Sequence, residues 1–186
     1  MIITILAEPR SGSTNLANWF NLKKSFTVLY EPISNPNTIW FKNNTPPNTW
    51  VYNTPNLLIK ETFNGETDFT DLVNYSDKII VLYRENILEQ TQSFINCKTT
   101  GNWGGVWSYK KNYNNELYST LFKKIKDKFR DLYINNNFFT ISYEDLYHNG
   151  FQKVIDYVNI EGITNENFPY GKKYRIDIDE KSKKLI

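Results

Sequence analysis

Cysteine is almost missing from this chain of 186 residues: Cys97 stands alone, so no intramolecular disulfide can form. With a single histidine, His148, there is no Cys/His set to hold a zinc ion, and no acidic spacing of the calcium-loop type occurs; no metal site is expected. No apolar run approaches the roughly 20 residues of a membrane span. The first residues read as a strand and not as a signal peptide, which points to a cytoplasm, bacterial or that of a virus-infected cell. The Asn-x-Ser/Thr matches at Asn43 and Asn74 are then chance matches. Neither sign of charge dominates, with 22 Lys+Arg against 20 Asp+Glu and a formal net charge of +2. The basic run Lys123 to Lys128 falls on a long helical pattern and reads as a solvated face, so no nucleic-acid partner is expected. What is abundant is apolar and aromatic: 40% hydrophobic and 16% aromatic residues suffice for one α/β domain over residues 1–186 and fall short of two.

The most informative stretch opens the sequence. Ile2, Ile3, Ile5 and Leu6 form a strand-like run that meets Pro9-Arg10-Ser11-Gly12-Ser13-Thr14-Asn15, after which Leu16, Trp19 and Phe20 recur at helical spacing. N–H groups at the start of such a helix lack intrahelical partners and carry the positive end of its dipole, so an anion binds there, and Arg10 adds a full charge and a planar fork of donors. The phosphate loop of nucleotide triphosphatases needs two glycines and a Lys before Ser/Thr. Here there is one Gly and no Lys, which argues against an ATP-plus-magnesium engine.

Two further segments share the pattern of a strand feeding a polar turn. Lys78 to Tyr83 is an apolar run ending in Arg84, followed by a helix with Ile87, Leu88, Thr91, Phe94 and Ile95 on one face and Ser93 off it. Phe138 to Ser142 runs into Tyr143-Glu144-Asp145-Leu146 and then into a helical pattern with Val154, Ile155, Tyr157 and Val158. The loop at residues 10–14, Arg84 with Ser93, Thr100-Gly101-Asn102-Trp103 and the Tyr-Glu-Asp-Leu turn occur in the order seen in sulfotransferases that use 3′-phosphoadenosine-5′-phosphosulfate (PAPS). The chain resembles that family from Ile2 to about Ile160, and within it the bacterial trehalose-type and carbohydrate sulfotransferases. The resemblance implies PAPS as sulfuryl donor and 3′,5′-ADP as product. It implies a 5′-phosphosulfate held by Arg10, Ser11, Gly12, Ser13, Thr14 and Asn15, a 3′-phosphate gripped by Arg84 and Ser93, and Tyr143 near the adenosine.

Transfer to a hydroxyl needs a base for the acceptor proton. His148 follows the Tyr-Glu-Asp-Leu turn and reads as a structural or exposed residue. Glu31, in Thr27-Val28-Leu29-Tyr30-Glu31-Pro32, would be delivered at the carboxyl end of a second strand, and the resemblance assigns a Glu-Pro at this place the role of base; the alternatives are a solvent-facing Glu or one paired with Arg10. Arg10 is the first choice for stabilising the transferred group. Lys60, ending a third strand, either reaches the same crevice or is an edge lysine. Lys172 and Lys173 either close over the 3′-phosphate or belong to a basic tail, residues 170–186.

The expected fold is a P-loop-like three-layer α/β arrangement with a parallel sheet of about five strands near 2–7, 27–31, 57–60, 78–83 and 138–142. Residues 35–56, with Trp40, Phe41, Trp50 and Tyr52, are either a self-packed loop or an acceptor-side lid. Trp103, Trp107 and Tyr109 pose the same choice, and Tyr113, Leu117, Leu121 and Ile125 read as a helix-core stripe. The expected partner is a hydroxyl-bearing acceptor, a carbohydrate by resemblance, in a pocket that is open or completed by a second subunit, with oligomeric state left open. The alternatives are a nucleotide or small-molecule kinase and a nucleotide-binding protein without turnover.

Overall fold

The computed structural model describes residues 1–22, 26–35, 54–101 and 115–164. Its centre is a five-stranded, wholly parallel sheet in the order β2-β3-β1-β4-β5, flanked by helices. The strands are β1 (Ile2–Ala7), β2 (Thr27–Tyr30), β3 (Leu57–Thr62), β4 (Lys78–Tyr83) and β5 (Phe139–Ser142). The helices are α1 (Ser13–Leu22), α2 (Thr70–Tyr75), α3 (Ile87–Thr100), α4 (Asn115–Asn135), the single turn α5 (Tyr143–Asp145) and α6 (Phe151–Val158), with a π-helical segment, Leu146–Gly150, joining the last two.

Alternation along β1 sorts the core into two halves. Ile3, Ile5 and Ala7 point to one face, where they pack with Leu16, Trp19 and Phe20 of α1 and with Phe151, Val154 and Val158 of α6. Leu6 points to the other, with Leu57, Ile59 and Val81, against Leu72 of α2, Phe94 of α3 and Phe122, Ile125 and Phe129 of α4. Trp19 is almost fully buried and meets Phe151 edge-on at 4.2 Å between ring centroids.

Because β1 lies between β3 and β4, the chain leaves it toward one side of the sheet and later returns on the other. The crevice that opens at such a reversal lies outside the carboxyl ends of the strands, where open α/β sheets bind ligands. Ala7 stands level with Thr62 of β3 and with Leu82 of β4, so the segments after β1, β3 and β4 emerge side by side.

Three expectations are corrected. The core stripe of α4 is Phe122, Ile125 and Phe129, not one running through Leu117 and Leu121, which are 61% and 42% exposed. Ile125 is common to both stripes, but from it the buried face runs through the larger Phe122 and Phe129, which bury more apolar surface than the leucines would. Lys60 is no edge lysine, since β3 is an interior strand and Lys60 is buried. The apolar face expected on α3 from Ile87 to Ile95 does not hold at its start, where Ile87 is exposed, and Ser93, expected off that face, is buried with Gln90, Thr91, Gln92 and Asn96 alongside Phe94 and Ile95.

Candidate active site

The turn after β1 is held by its own backbone and by the next strand. Glu8 N–H donates to the Leu82 carbonyl at 3.0 Å, and the Ser11 hydroxyl donates to the Glu8 carbonyl at 2.8 Å. Asn15 and Leu16 N–H close the first turn of α1 on the Gly12 carbonyl, leaving Gly12, Ser13 and Thr14 at the helix start where N–H groups point outward. Gly12 has φ +81°, and a Cβ there would lie 2.8 Å from the Tyr143 ring. A side chain is therefore excluded twice, by backbone conformation and by contact. Tyr147, packed on Tyr143 at 4.6 Å, donates its hydroxyl to the Gly12 carbonyl at 3.0 Å. Burial pushes the Tyr147 phenol up, so it stays a proton donor, and the Asn15 side chain is hydrogen-bonded to it.

Four non-glycine residues among those described have positive φ. Two are Asn56 and Asn159, which tolerate it; the others are Arg10 (φ 65°) and Glu31 (φ 50°). Sequence reasoning had singled out these two for the chemistry. It had kept Glu31 in the extended strand, whereas β2 ends at Tyr30 and Glu31 turns out of it. A left-handed conformation at residues of this kind costs on the order of 1 kcal/mol and persists only where surrounding structure imposes it.

Arg10 and Ser93, 83 positions apart, meet directly: Arg10 Nε donates to Ser93 Oγ at 2.8 Å. Burial and the nearby Arg84 bring the Arg10 guanidinium below its ordinary value, while neighbouring Cys97 acts the other way. Arg84 leaves the end of β4 with its guanidinium over the Tyr143 ring at 4.6 Å and its Nη2 donating to Glu89 Oε2 at 2.6 Å. Its buried Nε has no hydrogen-bond partner among the described residues; Glu144 Oε1 lies 3.7 Å away. Glu144 is itself fixed by backbone, accepting from Glu85 N–H at 2.9 Å and Asn86 N–H at 3.0 Å at the start of α3. The acidic pair thus orders the turn, Glu144 on α3 and Asp145 on Lys153 at 2.6 Å. His148 is exposed.

On the other side of β1, Glu31 is ion-paired with Lys60 and accepts from Thr62 Oγ1 at 2.7 Å. Its partner is Lys60, not Arg10. Lys60 also donates to Thr62 Oγ1 at 2.7 Å, so lysine, threonine and carboxylate close a three-membered set with the lysine deepest. Next in sequence, Glu61 points to the opposite face, fully buried, accepting from Ile33 N–H at 2.6 Å and from the Ser34 hydroxyl at 2.5 Å. Burial raises its pKa to about 7, against the pull of those donors.

Two charged residues under the loop escaped the sequence. Glu8, 2% exposed, accepts from Lys126 Nζ at 2.7 Å, Gln90 Nε2 at 2.9 Å and Arg84 N–H at 3.1 Å. Lys126 is thus not part of a solvated face; it ties α4 to the loop and also donates to Gln90 Oε1 at 2.7 Å. Its partners, Gln90 and Glu8, lie 36 and 118 positions away. A cleft of about 460 Å³ beside this set is lined by Arg84, Lys126 and Arg130 with Glu85 and Asp127. Lys172, Lys173 and the tail from 170, Asn102, Trp103, Trp107, Tyr109 and Tyr113, and the 36–53 part of the candidate lid, Asn43 included, lie outside the described residues. Among the described residues no cluster of three or more His, Cys, Asp or Glu could hold a metal, and no helix is long and apolar enough to cross a membrane.

No family model matches this sequence, and no curated protein matches it. Solved structures do match in fold. The mouse sulfotransferase SULT7A1 complexed with PAP superposes with a TM-score of 0.57 at 13% identity, over 89% of this chain and 61% of that one. The sulfotransferase domain from the Synechococcus PCC 7002 olefin synthase gives 0.55 at 16% identity, over 88% and 74%. Deoxyadenosine kinase from M. mycoides with bound dATP gives 0.48 at 14% identity, over 86% and 100%. The chain spans about 61% of the length of the mouse enzyme, and at these identities the likeness is one of fold.

Proposed function

We propose that the protein is a sulfotransferase that moves a sulfuryl group from PAPS to a hydroxyl acceptor, most simply a carbohydrate. The observation that carries this is convergence. Arg10, Ser93 and Arg84 come from the turn after β1, the middle of α3 and the end of β4, yet Arg10 bonds Ser93 at 2.8 Å, and Arg84 Nη1 lies 3.5 Å from the Arg10 carbonyl. Tyr143 packs on Arg84 and Gly12 at once. The residues fit an anionic nucleotide: a side-chain-free turn at a helix start, two guanidinium groups, and a buried Arg84 Nε with no hydrogen bond among the described residues, Glu144 standing 3.7 Å away. The fold shared with two sulfotransferases, one solved with PAP, supports the same reading.

In this assignment PAPS supplies the activated sulfuryl group. Residues 11–14 cradle its 5′ side, Arg10 meets the charge that develops there, and Arg84 and Ser93 hold its 3′-phosphate. Glu31 takes the acceptor proton, with Lys60 and Thr62 directing its carboxylate. No divalent metal is called for.

Calorimetric titration of the purified protein with 3′,5′-ADP, alongside ATP plus magnesium, tests the assignment. Tight, magnesium-independent binding of 3′,5′-ADP is expected, and Arg84→Ala should weaken it at least tenfold more than it weakens 5′-AMP. A preference for ATP plus magnesium would replace the sulfotransferase with a kinase, and equal losses for the two nucleotides would remove Arg84 from the 3′-phosphate.

A further inference from the structure

We infer that Glu89 sets the strength of the 3′-phosphate grip: its carboxylate holds the guanidinium edge of Arg84 that the phosphate would take, and gives way when a doubly charged anion arrives. The inference rests on the nucleotide reading above.

Glu89 is the third residue of α3, whose cap is Asn86; the Asn86 side chain accepts from Glu89 N–H at 3.1 Å. In a capping box a Glu at this place reaches back to the cap residue's own N–H. Here that N–H is occupied, because Glu144 Oε1 accepts from Asn86 N–H at 3.0 Å. Displaced from the capping role, the Glu89 carboxylate turns to Arg84 Nη2 at 2.6 Å.

The two carboxylates beside Arg84 are not equivalent. Glu144 accepts from two backbone N–H groups at a helix start and would give up both bonds on leaving. The Glu89 side chain is 35% exposed and makes no backbone bond of its own among the described residues, so it can turn toward solvent at the cost of the Arg84 pair alone. A 3′-phosphate, with up to two negative charges and three acceptor oxygens, displaces a single carboxylate from a guanidinium, whereas a neutral 3′-hydroxyl does not. Glu89 therefore lowers the affinity for every 3′-phosphorylated nucleotide, donor and spent product alike, and shortens the life of the product complex.

The test compares wild type, Glu89→Gln and Glu85→Gln, the last removing an equal charge from an exposed neighbour at the same junction. Affinities for 3′,5′-ADP and 5′-AMP are measured by calorimetry, and 3′,5′-ADP dissociation by stopped flow. Glu89→Gln should bind 3′,5′-ADP about fivefold tighter, with a matching slower dissociation, and 5′-AMP within about twofold of wild type; Glu85→Gln should change neither by more than about twofold. If wild type prefers 3′,5′-ADP and Glu89→Gln binds it no tighter, or Glu85→Gln gains as much, the inference is overturned and the nucleotide reading stands. If wild type binds both nucleotides equally, the nucleotide reading falls and the inference with it.

Discussion

On the β2–β3 side of the sheet's carboxyl edge there are two carboxylates, Glu31 and Glu61, and one lysine, Lys60, which pairs with Glu31 alone. On the β1–β4 side, three cations, Arg10, Arg84 and Lys126, stand among three carboxylates, Glu8, Glu89 and Glu144. The first region has acid to spare: Lys60 pairs with Glu31, and Glu61 on the opposite face of β3 is left to burial, backbone donors and the Ser34 hydroxyl. The second is balanced, so an anion entering it must compete for its arginines. A proton acceptor suits one side and a measured grip on a charged ligand suits the other.

The comparison breaks hardest at Glu31. Under the proposed function, Glu31→Gln should lower kcat for sulfuryl transfer by about 10² to 10⁴ and leave 3′,5′-ADP affinity unchanged; a parallel loss of affinity would show that the two sides are one electrostatic unit. Next comes Lys126→Met, which leaves the Glu8 carboxylate buried without its cation. A loss on the order of 3 kcal/mol in urea unfolding is expected, and one below about 1 kcal/mol would mean that Gln90 and the Arg84 N–H suffice.

The smaller effect is a pH dependence confined to the β2–β3 side. Glu61 holds its proton up to about pH 7 when folded, against an ordinary carboxylate value of 4.5, so between those values the native chain binds more protons than the unfolded one. Its stabilising contribution is full at low pH and is lost as pH rises toward 7, by on the order of 3 kcal/mol at most. Urea unfolding at pH 5 and pH 7.5 should show this slope in wild type and not in Glu61→Gln; identical slopes would remove Glu61 as its source.

Much of this was readable from the chain. All five strands stand within two residues of their expected ends, because β-branched runs such as Lys78 to Tyr83 are bounded by Asp, Asn, Gly or Pro. The strand-end placement of Glu31, Arg84 and Tyr143 was legible for the same reason. Pairings were not. Glu8 with Lys126, Arg10 with Ser93 and Glu144 with the start of α3 are separated by 118, 83 and 58 or more positions, and no local pattern encodes a partner at that distance. Lys126 looked solvated because lysines surround it in sequence, although in space it leans on Glu8.

The central place of β1 has a consequence for biosynthesis. Its two neighbours begin at Leu57 and Lys78, so every hydrogen bond along both edges of β1 waits for chain made later. At roughly 5–20 residues per second, that interval is on the order of 3 to 15 seconds, during which an apolar strand rich in isoleucine has both edges open. The nascent chain is then a ready client for a ribosome-associated chaperone, and the same wait would favour inclusion bodies when the protein is made faster than such help is supplied.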